Sequence, residues 1–207
     1  GRGMVYPDHF IPVAEQSLLI NDIGRWTIRA ACEAAIEWDA NETVAVNLSA
    51  RQFLDPDLVA DIRDVLHETG LNPSRLELEI TETALILNKQ LAATILMQLK
   101  AIGIKIALDD FGTGYSSMSY VQSFPFDRLK IDRSFVAAMN GDRKSRAIVE
   151  AIISLAHSLD IPVVAEGVET EEQASLLRSL LCEEIQGFLI ARPEPFIVPE
   201  KAEPKTG

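Results

Sequence analysis

The sequence predicts an α/β fold built on a mostly parallel sheet. Two patterns carry that expectation. Short apolar, β-branched segments alternate along the chain with longer amphipathic ones. A polar or ionisable residue also stands at or near the C-terminal end of every predicted strand, the end at which parallel α/β folds build their sites.

Residues 43–48 (TVAVNL) read as a buried strand. Residues 76–81 (LELEIT) alternate apolar and acidic side chains, so a strand there sends its glutamates to one face. Residues 105–109 (KIALD), 128–131 (RLKI), 162–166 (PVVAE) and 184–190 (EIQGFLI) complete six strands. Between them, 21–39 has helical spacing with Asn21 or Asp22 as N-cap. Residues 56–69 end at Gly70, and 83–101 end ahead of Gly103, both ordinary helix stops. Residues 145–159 and 170–181 are amphipathic, and Thr170 opens the second with a capping-box T-x-x-Q. An open doubly wound sheet and a closed barrel both satisfy this pattern. Residues 1–197 are expected to form one domain, followed by a Pro-, Lys- and Glu-rich flexible tail at 198–207.

A chain of 207 residues can bury one sizeable core. No apolar run reaches the roughly 18–20 residues that span a bilayer, and no secretory signal is visible. The domain is therefore expected in the cytoplasm without direct membrane contact, any anchor being left to other domains. Cys32 and Cys182 lie far apart in apolar surroundings and read as buried free thiols. The formal charge of -12 argues against a nucleic acid polymer as partner, which needs a basic footprint. A small phosphate ligand stays open, because clustered carboxylates hold divalent cations that attract phosphate.

Asn47 closes the first strand, and Glu79 and Glu82 the second. Asp109 and Asp110 close the third, Lys130 and Asp132 the fourth, and Glu166 and Glu169 the fifth. Gln186 falls in the sixth. Each has a commonplace reading alone: a turn, a solvated strand position, a snorkelling lysine, a helix cap. Six coincidences at equivalent strand positions are better explained by one shared site. Carboxylate and amide oxygens are hard ligands suited to Mg²⁺ or Mn²⁺. Adjacent aspartates let one carboxylate bridge two ions, an arrangement suited to phosphodiester cleavage, and a nearby lysine can orient a water or offset charge. His9, His67 and His157 show no zinc spacing. Gly112-Thr113-Gly114 is neither a P-loop nor a dinucleotide fingerprint, and no G-x-S-x-G elbow is present.

The runs FIPVAE (10–15), VAVNLSARQF (44–53), LELEITET (76–83), IALDDFGTGYSS (106–117), LKIDRSF (129–135), VVAEGVET (163–170) and QGFLIARP (186–193) resemble the EAL domain of cyclic di-GMP phosphodiesterases. The resemblance implies a modified (β/α)8 TIM-type barrel that hydrolyses cyclic di-GMP to linear pGpG with two Mg²⁺ or Mn²⁺ ions, in bacterial second-messenger signalling. It implies that Asn47, Glu79 and Asp109 bind one ion, and Asp109, Asp110 and Glu166 the other. Lys130 would orient the attacking water or act as its base, with Gln186 nearby. Glu82 would steady the 110–117 loop, through which the family forms homodimers. Asp132 and Glu169 would support the ligands or contact substrate. An upstream sensory or GGDEF-type domain is a further expected partner.

Ahead of FIPVAE the family supplies two more strands, the second bearing Glu-Ala-Leu and a substrate-binding arginine. The chain shows neither. The resemblance therefore implies a barrel without its first two strands, with two edges around an apolar interior and impaired activity for the chain alone. The alternative expectation is a non-catalytic cyclic di-GMP receptor or protein-interaction module.

Overall fold

The computed structural model describes residues 5–17, 19–113 and 118–194. Six parallel strands form one sheet in the order β1 to β6: Val44–Leu48, Leu76–Thr81, Lys105–Phe111, Arg128–Ile131, Val163–Ala165 and Glu184–Ile185. The helices are α1 (Pro7–Glu15), α2 (Leu19–Ile36), α3 (Leu58–Thr69), α4 (Glu82–Leu87), α5 (Lys89–Ile102), α6 (Met118–Ser123), α7 (Arg133–Ala138), α8 (Arg143–Ser158) and α9 (Glu171–Ser179). Parallel neighbours with intervening helices are the βα succession that the alternating pattern predicts. Among the described residues, no ladder joins β6 to β1.

One strand face is apolar and packs on the helices. Val44, Val46 and Leu48 of β1, Leu76, Leu78 and Ile80 of β2, Ile106 and Leu108 of β3, and Leu129 and Ile131 of β4 are all buried in one cluster with the helices. Each such side chain contributes roughly 1.5–3 kcal/mol on burial. By alternation the other face carries Asn47, Glu77, Glu79, Asp109, Arg128 and Lys130. The expected apolar interior is thus a charged one, and the apolar core lies between sheet and helices.

The sheet is strongly curled, as one side chain demonstrates. Arg128 on β4 ion-pairs with Glu77 on β2 (Nε to Oε2, 3.6 Å) and with Glu184 on β6 (Nη1 to Oε2, 3.0 Å). With strands about 4.8 Å apart, β2 and β6 would lie roughly 19 Å from each other in a flat sheet. One guanidinium reaches both carboxylates only because curvature makes the inner-face side chains converge.

Several boundaries differ from the sequence expectation. Helix α1 went unpredicted because Pro12 lies inside it, where proline removes a backbone donor. The single helix expected over 83–101 is two, broken at Asn88, whose backbone is extended and whose side chain caps α5 by accepting from Leu91 N at 3.1 Å. Strand β6 stops at Ile185 rather than running to 190. Beyond it the chain folds back onto the segment after β5: Val168 N donates to Gln186 O (3.0 Å) and Leu189 N to Val168 O (3.0 Å). Only glycine fits that crossing, since a Cβ on Gly187 would lie 2.2 Å from Val168 O. The flexible tail expected at 198–207 lies outside the described residues, as do residues 114–117 of the loop assigned to dimerisation.

Candidate active site

The charged inner face is densest at the C-terminal ends of β2 to β5. Lys130 Nζ lies 2.6 Å from Glu79 Oε1, 2.6 Å from Glu166 Oε1 and 3.4 Å from Asp109 Oδ1. The lysine is only 4% exposed, so the snorkelling alternative fails. Burial pulls the Lys130 ammonium down, but its hydrogen bonds to Glu166 and Glu79, with the charges of Glu79 and Asp109, outweigh that and hold its pKa above the ordinary lysine range. Burial raises the Glu166 carboxyl, Lys130 opposes it, and Asp109 and Glu79 add to it; the net shift is upward.

The two aspartates of β3 reach the same side through an irregularity. Ala107 and Leu108 pair with Arg128 and Leu129, but the next pair is Phe111 with Ile131. One extra residue on β3 makes a bulge, and Asp110 takes a φ of 53° there. In a regular strand adjacent side chains face opposite ways. Here Asp109, Asp110 and Glu166 each place a carboxylate oxygen within 4.8 Å of the others. Three converging carboxylates form a hard, anionic donor set of the kind that takes Mg²⁺ or Mn²⁺. Their crowding is felt in Asp110, which burial, the Asp109 and Asp132 charges and a hydrogen bond with Asp132 push above the usual carboxylate range.

The remaining predicted residues lie near the C-terminal ends of β1, β2, β4, β5 and β6. Asn47 is the register partner of Glu79 and is exposed. Glu82, buried at the start of α4, accepts from Gly112 N (3.0 Å) and so ties down the segment after the bulge. Asp132 caps α7 by accepting from Ser134 N at 3.0 Å. Gln186 is exposed directly after β6. Glu169 is exposed at the start of the α9 capping segment, where its N–H donates to Gln173 Oε1 (2.8 Å). His9 and His67 are exposed, while His157 pairs with Glu183 at 2.9 Å, away from the centre. Cys32 is buried and Cys182 half-buried, both free. Among the described residues no helix is long and apolar enough to cross a membrane.

Sequence reasoning missed Glu77 and Arg128. They stand two residues before Glu79 and Lys130 on the same face, and an ionisable residue at that spacing within an otherwise apolar strand was the available signal.

The EAL domain family model matches residues 1–193. An uncharacterised signalling protein of Caulobacter vibrioides is 54% identical over 194 residues, covering 94% of this chain and 24% of that protein. The bifunctional diguanylate cyclase/cyclic di-GMP phosphodiesterase MucR of Pseudomonas aeruginosa is 44% identical over 198 residues, covering 94% of this chain and 29% of that protein. The chain therefore spans under a third of the length of these relatives. The solved structure of the PaMucR phosphodiesterase in complex with c-di-GMP superposes with a TM-score of 0.90 at 43% identity, covering 94% of this chain and 80% of that one.

Proposed function

Because the chain belongs to the EAL domain family, we propose that its inner-face centre hydrolyses cyclic di-GMP to linear pGpG with two divalent cations, Mg²⁺ or Mn²⁺. The observation that carries this is the convergence of Asp109, Asp110 and Glu166 beside the buried Lys130. Asn47, Glu79 and Asp109 are the proposed ligands of one ion, and Asp109, Asp110 and Glu166 those of the other. Such ions, when bound, supply Lewis-acid stabilisation of the charge on the phosphodiester oxygens.

The chain's own groups do the positioning. Lys130, whose proton is held firmly by Glu79 and Glu166, is suited to donate a hydrogen bond to the attacking water or the phosphate. Lys130 is thus the proposed group that orients the attacking water or acts as its base. Glu82 restrains the backbone at Gly112 and with it the bulge that aims Asp110. Asp132, whose charge is felt by Asp110, is the proposed support for that ligand. Gln186 and Glu169, both exposed, are the proposed further contacts to water or substrate. Homodimerisation through the 110–117 loop and coupling to an upstream sensory or GGDEF-type domain belong to the same proposal.

The test is incubation with cyclic di-GMP and Mg²⁺ followed by chromatography of the product. The chain is assayed alone and with any upstream residues its gene encodes. Accumulation of pGpG, lost in Glu166→Gln, is expected. Calorimetric binding without turnover would instead favour the receptor alternative, and neither binding nor turnover would refute both.

A further inference from the structure

Beneath the candidate centre lies a second layer of charge. Two residues before Lys130 on β4 is Arg128, and two residues before Glu79 on β2 is Glu77. Glu184 on β6 precedes Gln186 by the same interval. On β2 and β4 a spacing of two keeps both residues on the inner face. The upper level therefore carries Glu79 and Lys130, and the lower level Glu77 and Arg128, with Glu184 of β6 joined to the lower level by its contact with Arg128.

We propose that Arg128 is a positioning residue: by clamping Glu77 and Glu184 it sets the curvature that brings Lys130 within hydrogen-bond reach of Glu79. The role presupposes the hydrolysis proposed for that centre. Three observations support it. Lys130 and Glu79 are not on neighbouring strands, since β3 lies between them. Their 2.6 Å contact thus depends on how far the sheet is curled. Arg128 spans the same gap one level down, at 3.6 Å to Glu77 and 3.0 Å to Glu184.

On the intervening β3, the small Ala107 is the register partner of Arg128, while Lys105 is that of Glu77. Glu77 is buried and its Oε2 accepts no hydrogen bond; Arg128, with Nε 3.6 Å away, is the strongest of the cations acting on it, ahead of Lys105 and Lys130. Strand β6 is two residues long and pairs with β5 at only two positions. The Arg128–Glu184 pair is an additional tether on that strand, and Gln186 follows it directly. The rigid guanidinium presents Nε to Glu77 and Nη1 to Glu184 from two fixed positions, whereas a lysine would have to reach both from one nitrogen.

The test measures the aim of Lys130 directly. Its ¹⁵Nζ and ¹³Cε resonances are recorded in the folded chain, which requires no turnover and so stands whether or not hydrolysis is found. Arg128→Met and Arg128→Lys are both expected to move the Lys130 signals towards those of a free lysine. In the hydrolysis assay both should lower kcat by roughly 10- to 100-fold, the scale of a misplacement of about 1 Å, with KM nearly unchanged. Should Arg128→Met fail to fold, Glu184→Gln removes one arm at a half-exposed position and should shift the same resonances by less. Unmoved Lys130 signals in the folded variants would overturn the proposal, as would a fall in melting temperature with kcat and the signals intact. A wild-type chain without turnover would refute the hydrolysis alone, leaving the resonance shifts to decide the clamp.

Discussion

Lys130 Nζ stands 2.6 Å from Glu166 Oε1, joining the end of β4 to the first residue after β5. This contact makes the lysine a counter-ion as well as a candidate participant in chemistry. Lys130→Ala should thus cost stability as well as activity, because the substitution leaves Glu79, Asp109 and Glu166 facing one another. Removing one partner of a buried ion pair costs about 3–5 kcal/mol. Lys130→Ala should therefore melt well below wild type in chelator, recover part of the loss with Mg²⁺, and turn over ~10²–10⁴-fold more slowly. Thermal denaturation with and without Mg²⁺, alongside kcat, checks this.

Glu79→Gln, Asp109→Asn and Glu166→Gln are each expected to abolish turnover, because each removes a charged oxygen from the proposed ligand sets. Calorimetric Mg²⁺ titration should show weakened binding in all three. Wild-type rates in the three variants would refute the site.

Asp110→Asn should separate stability from function. Burial and the neighbouring Asp109 and Asp132 charges raise the Asp110 carboxyl. A carboxylate with a raised folded pKa is more costly in its charged form in the native state than in the unfolded one. Its penalty is absent below the unfolded pKa and grows as pH rises to the raised folded one. In chelator at neutral pH, Asp110→Asn should melt slightly higher than wild type, by no more than a few degrees because solvent screens a part-exposed group. Asparagine tolerates the φ of 53° at this position. The advantage should fade as pH falls towards the ordinary aspartate value of about 3.9 and be gone by about pH 3, where the wild-type carboxyl is protonated in both states. A lower melting temperature at neutral pH would contradict the repulsion.

Gly24→Ala tests the packing at the turn after β1. A Cβ at Gly24 of α2 would lie 1.4 Å from Gln52 Nε2. That buried glutamine holds the turn after β1, accepting from Ser49 N (3.2 Å) and donating its own N–H to Ser49 Oγ (3.2 Å). Overpacking of this kind costs about 1–3 kcal/mol. Urea denaturation should register it, while Gly24→Ser should fare no better.

The thiols offer a control on the core. Burial pushes both Cys32 and Cys182 up to about 11. At pH 8 only about one thiol in a thousand would be thiolate. Alkylation of the native chain should be slow at both positions and become fast in urea.

The strands were legible because each is a short run of alternating or continuous apolar residues, and the converging carboxylates and lysine because they close those runs. The αL bulge at Asp110 was not, since nothing in Asp109-Asp110 announces an extra residue relative to β4. The break at Asn88 was written in the sequence as an N-cap residue inside a helical pattern, and the apolar periodicity on both sides masked it.

What the amino-acid order settled was local: which residues form strands, which face of each is apolar, and that carboxylates and one lysine stand at the strand ends. Those follow from periodicities of two and 3.6 residues. Tertiary structure decided which of these groups meet. Lys130 and Glu79 are separated by 51 positions and by an intervening strand. Their contact depends on the curl of the sheet and on the Arg128 layer below it, and a distance across a curved sheet has no signature in any one stretch of chain.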